Sequence, residues 1–340
     1  MSVVAPVYCE ERLVGEFYGR CKQALEALAP AIRHELVFVN DGSTDGSLAV
    51  LLDIARHDPA VRVIDLSRNF GHQLAITAGI DHAAGDAVVV LDADLQDPPE
   101  VIGEMVRLWR EGNQVVYGVR RARRGESAFK RLTAGAFYRI LSRLSDVPVP
   151  LDSGDFRLMD RAVVDVLKEL REESRYIRGL VSWVGFRQCP LPYDRDPRFA
   201  GKTKFGLGRM FVFALDGISS FSAKPLRVAS HLGMMVTAGA VLAMFWVIAG
   251  RLIDPSRSIA GWTSVMVVVL FLGGVQLLSI GLLGEYIARI FRQAKGRPLY
   301  VVARRVNFTH GSDDAERNTN SLSSANESTA HGGAASTPAR

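Results

Sequence analysis

Two long windows of this 340-residue chain, Leu232 to Gly250 and Trp262 to Gly284, contain no charged side chain. Each is long enough, as a helix, to cross the roughly 30 Å hydrocarbon core of a bilayer. A short polar loop, Arg251 to Gly261, joins them. The pattern predicts a transmembrane hairpin rather than two helices buried in a soluble core. Basic residues precede the first window (Lys224, Arg227) and follow the second (Arg289, Arg292, Lys295, Arg297, Arg304, Arg305), whereas the loop sets Arg251 and Arg257 against Asp254. By the positive-inside rule both ends lie in the cytosol. The opening MSVVAPVYCEE has no basic leader followed by an apolar stretch and a small-residue cleavage site, so no secretory signal is expected and the first 225 or so residues stay cytosolic. The expected location is the inner (cytoplasmic) membrane, multi-pass, with both termini and the soluble portion cytosolic.

That soluble portion has a different texture. Mean hydropathy is slightly positive although charged residues make up 23% of the chain, as expected when a polar domain is joined to a much greasier one. Through the first 120 residues, short apolar runs (SVVAPVY, ELVFVND, VRVIDL, AVVVLDAD, QVVYGV) alternate with helix-period segments near Leu13 to Leu28, Gly46 to His57, Gly71 to Ala84 and Pro98 to Glu111. Such alternation predicts a doubly wound α/β domain, a parallel sheet with helices on both faces. Beyond it come a basic loop, RRARRGESAFKR, and a helix near Ser127 to Leu144. Mixed structure follows, with a helix near Arg161 to Leu170 and a strand at FRQCPLPY. The expected division is a domain at 1–200, interfacial helices at 201–228, two transmembrane helices at 229–290, a basic cytosolic segment at 291–307 and a disordered tail at 308–340. Cys9, Cys21 and Cys189 lie far apart and read as reduced thiols. A net charge of +5, without a basic and aromatic stripe, gives no reason to expect nucleic acid.

In an open sheet of this kind ligands bind beyond the carboxyl ends of the strands. The residues there are Glu10 and Glu11, Asp41, Ser67 and Arg68, Asp92 and Asp94, and Arg120 and Arg121. Two aspartates two residues apart on an extended backbone point the same way, so Asp92 and Asp94 can face one hard cation, with Gln96 continuing that face. An oxygen-rich set suits Mg2+ or Mn2+ bridging a diphosphate, whereas zinc would call for His or Cys. Asp41 can accept hydrogen bonds from a base or ribose; Asp45 reads as a helix cap. Arg120, Arg121 and Arg131 can neutralise a departing diphosphate. Together these residues suggest a nucleotide-sugar site.

APVYCEE, VNDGSTDGS, NFGHQLAITAGIDHA, VLDADLQDPPE and DSGDFRLMDR, followed by RYIRG and a two-span C-terminus, resemble family 2 glycosyltransferases of the GT-A (Rossmann-like) fold. The similarity covers about residues 2 to 300. It is greatest to the polyprenyl-phosphate glycosyltransferases, which include dolichol-phosphate mannose synthases and bacterial undecaprenyl-phosphate glucosyltransferases. The family usually has Asn where this chain has Cys9. The resemblance implies that Pro6, Tyr8, Glu10 and Asp41 bind the nucleoside. It further implies that Asp92, Asp94 and Gln96 hold metal and diphosphate, that Asp155 lies next to the reacting centre, and that Arg175 and Arg178 meet phosphate. Lys202 and Lys204 would help steer the acceptor phosphate.

The function implied is inverting, metal-dependent transfer of a sugar to polyprenyl (undecaprenyl) phosphate, with UDP-glucose as the first donor to consider and a homo-oligomer, a tetramer in related enzymes, as the assembly. Two alternatives remain. A processive polysaccharide synthase would usually carry more spans and Gln-x-x-Arg-Trp, for which this chain offers only SWVGFRQ. A noncatalytic membrane scaffold would have no need for Asp41, Asp92, Asp94, Gln96 and Asp155.

Overall fold

The structure, a computed structural model, describes residues 1–28, 31–121, 153–173, 175–195, 224–253 and 261–308. The expected helix at 127–144, the interfacial segment at 201–223 and the tail beyond 308 lie outside these residues. So do Arg131, Lys202 and Lys204.

Six-residue apolar runs become the centre of the sheet because both faces of each strand are covered. In β1 (Ser2–Val7) and β2 (Glu35–Asn40) every residue is buried. With β3 (Val61–Leu66) and β4 (Ala87–Val90) they form a parallel core in the spatial order β4-β1-β2-β3. The helices α1 (Val14–Glu26), α2 (Ser47–His57) and α3 (His72–His82) connect them and α4 (Ile102–Arg110) follows β4; α3 is buried all round over residues 75–80, while the others bury one stripe each. In α1 the buried stripe is Val14, Phe17, Cys21 and Leu25, a spacing of three and four residues. One apolar cluster, around Phe17, Phe38, Leu51, Met105 and Phe156, covers one face. A second, around Ile64, Ile76, Ile80, Met159 and Val163, covers the other.

The sheet is not wholly parallel, as the alternation had suggested. It has eight strands in the order β7-β5-β6-β4-β1-β2-β3-β8. β6 (Ser153–Asp160) runs antiparallel between β4 and β5 (Val115–Arg120), and β7 (Gln188–Tyr193) lies parallel to β5 on the outside. At the other edge β8 (Val302–Val306), after the apolar windows, pairs antiparallel with β3. The chain therefore returns to the sheet, and part of the basic segment at 291–307 is this edge strand. β6 leads into α5 (Arg161–Glu169), N-capped by Asp160, whose side chain accepts from the Ala162 N–H at 3.0 Å; α6 (Ile177–Trp183) follows.

Both apolar windows are helical, within α7 (Lys224–Ile253) and α8 (Trp262–Ala294), of 30 and 33 residues. At 1.5 Å per residue each is about 45 to 50 Å long. Among the described residues one stretch, Phe271–Ala294, is long and apolar enough to cross a membrane by length and composition.

Candidate active site

β1 leads to β2 on one side and β4 lies on the other, so the strand order reverses between β1 and β4. A crevice opens at such a switch point, beyond the carboxyl ends of the strands. The Leu91 N–H still reaches the Val4 carbonyl at 3.0 Å, but two residues further along β1 stands Pro6, which has no N–H to donate. The ladder between β1 and β4 stops there, and the two chains diverge.

β4 ends at Val90, four residues earlier than the reading of Asp92 and Asp94 on an extended backbone requires. The pair sits instead in a tight turn in which Leu95 takes φ +59° and the Gln96 N–H is held by Asp94 Oδ1 at 3.1 Å. The turn crowds three carboxylates. Asp97 is fully buried and accepts from the Tyr193 hydroxyl; the Arg195 guanidinium lies 3.2 Å from Asp97 Oδ1 and 4.0 Å from Asp94 Oδ2. Asp92 Oδ1 and Asp97 Oδ2 are buried oxygens without a hydrogen-bond partner. Burial pushes the Asp92 carboxyl up to about 6, assisted by repulsion from Asp155, Asp97 and Asp94 and opposed by His72.

The antiparallel insertion brings the next carboxylate to this turn. Val90, the last residue of β4, pairs with Arg157, and just beyond this pair His72 Nε2 meets both Asp155, at 3.2 Å, and Asp92, at 3.3 Å, so the two carboxylates are neighbours. Asp155 is 4% exposed and surrounded by donors. Arg178, on α6, donates from Nε at 2.8 Å and from Nη2 at 3.2 Å; Gln73 Nε2 donates at 3.1 Å, and His72 Nε2 lies at 3.2 Å. Burial by itself would raise the Asp155 carboxyl. The hydrogen bonds from His72 and Arg178, with the charges of Arg178 and Arg157, outweigh it and hold the group well below the usual carboxylate range. His72 Nε2 is also 3.3 Å from Asp92 Oδ1, so the imidazole bridges the two carboxylates. Burial would lower its pKa, but these acidic neighbours raise it. Gln73 is doubly used, because its Oε1 accepts the Ile177 N–H at 2.9 Å and so ties Asp155 to the start of α6.

Arg120, at the end of β5, belongs to the same region. A Cβ on Gly154 would meet its Nη2 at 2.9 Å, so glycine beside Asp155 makes room for the guanidinium. Asp41 closes the far side of the crevice, its two oxygens accepting the N–H groups of Phe70 at 2.7 Å and Gly71 at 2.9 Å. It thereby fixes the entry to α3, and burial raises its carboxyl above the ordinary value against these two hydrogen bonds. Gly42, at φ +63°, makes the adjoining turn. Tyr8 is 49% exposed at the rim, while the Glu10 N–H is held by Ser47 Oγ at 2.9 Å. Cys9, exposed at φ +56°, adopts a conformation that Asn tolerates better, and its N–H reaches Ser43 Oγ at 3.0 Å. Asp45 accepts from the Ser47 N–H at 3.1 Å but is not the cap read for it, since Gly46 stands at the N-cap of α2 without a side-chain cap bond.

Arg175 is not brought to this cluster. It is 7% exposed, and its guanidinium donates to the carbonyls of Leu167, at 3.0 Å, and Leu170 at the end of α5. Conversely, His72, Gln73, Tyr193 and Arg195 had no role assigned from the sequence. The quoted NFGHQ stretch held the only signal for the first two. For Tyr193 and Arg195 there was none, since β7 meets the turn only through the sheet.

Asp97 Oδ2, buried without a hydrogen-bond partner among the described residues, and Asp92 Oδ1, met there only by His72 Nε2 at 3.3 Å, make with Asp94 an oxygen-rich set that suits a divalent cation. Among the described residues, no three His, Cys, Asp or Glu side chains are grouped so as to hold a metal ion by themselves, so a cation here would need further ligands.

This sheet, with carboxylates gathered at its switch point, is the GT-A-like arrangement of a glycosyltransferase, and the chain belongs to Glycosyl transferase family 2, whose profile matches residues 2–167. A second profile, the GtrB C-terminal hairpin, matches residues 224–290. The chain is 50% identical over 303 residues to the uncharacterized glycosyltransferase YkcC of Bacillus subtilis (strain 168), covering 89% of this chain and 93% of that one. It is 40% identical over 304 residues to the SfII prophage-derived bactoprenol glucosyl transferase of Shigella flexneri, covering 89% and 97%. Among solved structures, S. aureus TarS 1-349 in complex with UDP-GlcNAc superposes with a TM-score of 0.44 at 16% identity, over 64% of this chain and 65% of that one, too loosely to carry an argument.

Proposed function

We propose that the protein transfers a hexosyl group, glucose from UDP-glucose in the first instance, to the phosphate of a polyprenyl lipid such as undecaprenyl phosphate, at the cytosolic face of the inner membrane. The observation that carries this reading is Asp155, clamped by Arg178, Gln73 and His72 beside the acidic turn at the switch point. The name of the Shigella relative, a bactoprenol glucosyl transferase, supports the acceptor and the sugar. The helix pair matching the GtrB C-terminal hairpin supports an anchor, which would keep the catalytic domain at high local concentration over an acceptor that cannot leave the bilayer.

Asp92 and Asp94, with Gln96, would hold Mg2+ or Mn2+, whose chemistry is to offset charge on the diphosphate as its bond to the sugar breaks. Asp41 and Tyr8, with Pro6 and Glu10 behind them, line the nucleoside side. Arg120, with Arg131, would receive the departing diphosphate. The acceptor approaches from the Arg178 side, aided by Lys202 and Lys204. One of its phosphate oxygens forms the new bond to the anomeric carbon as the old bond to the diphosphate breaks, and the electron pair leaves on the diphosphate. A phosphate monoester has its second pKa near 6 and is largely ionised at neutral pH, so the attacking oxygen needs no base. Asp155 is ill suited to be one, because its donors keep it ionised at far lower pH. It orients Arg178, 31% of whose side chain stays exposed, toward the incoming phosphate. A homo-oligomer, tetrameric by analogy with related enzymes, completes the proposal.

The test offers purified full-length protein a panel of nucleotide sugars together with undecaprenyl phosphate and Mg2+ or Mn2+, and identifies the lipid product by mass spectrometry. A hexosyl-phosphoryl lipid formed from UDP-glucose is expected. Nucleoside diphosphate release without any lipid product would contradict the acceptor assignment.

A further inference from the structure

The cytosolic end of α8 is fastened to the segment that grips Asp155. Gln293, in the last turn of α8, uses both ends of its side-chain amide. Its Oε1 accepts the Glu173 N–H at 2.8 Å, and its Nε2 donates to the Arg171 carbonyl at 2.9 Å. Residues 171 to 173 lie in the connection that enters α6, the helix carrying Arg178. From the same connection Arg171 Nη1 reaches Asp81 Oδ2 at 2.7 Å, and Tyr300, just beyond α8, donates its hydroxyl to that oxygen at 2.8 Å. Asp81 is in the last turn of α3, whose first residues are His72 and Gln73.

Both elements that clamp Asp155 are thus joined to the chain on either side of the end of α8. The Asp81 side chain is 9% exposed and its bond to Tyr300 is partly buried, whereas Arg171 is half exposed and the Gln293 bonds lie at the surface, so the junction orients the helix end and adds little stability. The sheet does not require it, since β3 and β8 already hold the returning strand in register. What the junction adds is a fixed relation between the apolar helix and Arg178.

We infer that Gln293 is a positioning residue for the acceptor half of the reaction: it sets the Arg178–Asp155 pair at the level where a phosphate carried by a bilayer lipid arrives. This rests on the proposed lipid-phosphate acceptor and adds to it the part of the chain that registers catalysis to the membrane. Donor binding, at the acidic turn and Asp41, lies on the other side of Asp155 and should not depend on it.

The experiment uses full-length protein in vesicles of phosphatidylethanolamine and phosphatidylglycerol containing undecaprenyl phosphate, supplied with UDP-glucose and Mg2+. Two products are measured in one sample: glucosyl lipid, and free glucose from slow transfer to water. Gln293→Ala is expected to lower glucosyl-lipid formation about tenfold, the scale on which small misplacements act, while glucose release and Tm stay near wild type. Tyr300→Phe, which keeps the ring and removes only the hydroxyl, should shift the same ratio in the same direction. Unchanged lipid transfer in both variants would overturn the inference, and so would equal losses in lipid transfer and glucose release, which would mark a merely structural contact. Wild-type protein that releases glucose but makes no glucosyl lipid would instead overturn the functional reading, and the inference with it.

Discussion

Asp92 and Asp155 are neighbours with opposite electrostatic settings, and each setting has a consequence for stability. Asp155 is held below its ordinary range, so its contribution is present above about pH 4, the value for a free carboxyl, and is lost as acid protonates it. Asp92, pushed up to about 6, works the other way: the fold is favoured while it is protonated and loses that advantage as pH rises from about 4 to about 6. At neutral pH without a divalent cation its charge costs on the order of 2 kcal/mol. Asp92→Asn should therefore raise Tm in chelator at pH 7.5 while removing transfer activity, and a lower Tm would contradict this account of the turn. Gln73→Ala leaves the Ile177 N–H without its acceptor and takes one donor from Asp155. Its expected signature is a fall in kcat of about ten- to a hundredfold with donor KM near wild type, measured under saturating acceptor.

The aspartates at the strand end were legible because a buried run that stops at VLDADLQD must put its charge at a ligand-accessible edge. Their turn geometry was not legible, since the end of β4 depends on β1 diverging at Pro6. Asp155 could be placed only through family resemblance. The His72 and Gln73 contacts exist because α3 begins beside a strand inserted from 80 residues downstream, and no local spacing encodes that.

Among the elements, the parallel core follows from continuous apolar runs and the helices from their three-and-four spacing. The antiparallel β6 did not follow, because pairing is nonlocal and a two-sided buried strand reads the same in either direction. Its sequence does encode a firm end. Asp160 caps α5 with one oxygen and takes the Trp109 indole N–H at 2.7 Å with the other, joining α4 to α5. Asp160→Ala should cost about 2 kcal/mol, the sum of a cap and a partly buried hydrogen bond, read from the urea midpoint of the full-length protein. A loss near zero would mean that the sheet registers β6 unaided.

For the whole molecule, the apolar windows announced two long helices, and the comparisons identify that region as a hairpin of known kind. Nothing in the windows predicted that the chain would come back to form β8 on the catalytic sheet, since VARRV carries too little apolar pattern to stand out. The C-terminal end of α8 is consequently joined to the catalytic sheet, through β8 and through the Gln293 contacts with the segment before α6. A cation bound at the acidic turn should stabilise this assembly in a pH-dependent way. Mg2+ or Mn2+ is expected to raise Tm at pH 7.5, with the gain shrinking as pH falls through about 6 and Asp92 takes up a proton. A gain that is the same at pH 5 and pH 7.5 would place the cation elsewhere.

The most direct measurement compares wild type with Asp155→Asn in the same undecaprenyl phosphate vesicles, following glucosyl lipid by mass spectrometry across a range of UDP-glucose concentrations. Wild type should accumulate the product, and the variant should form it at least a hundredfold more slowly with little change in the UDP-glucose concentration needed for half-maximal rate. Equal rates for the two proteins would contradict a reaction centred on the Asp155 clamp.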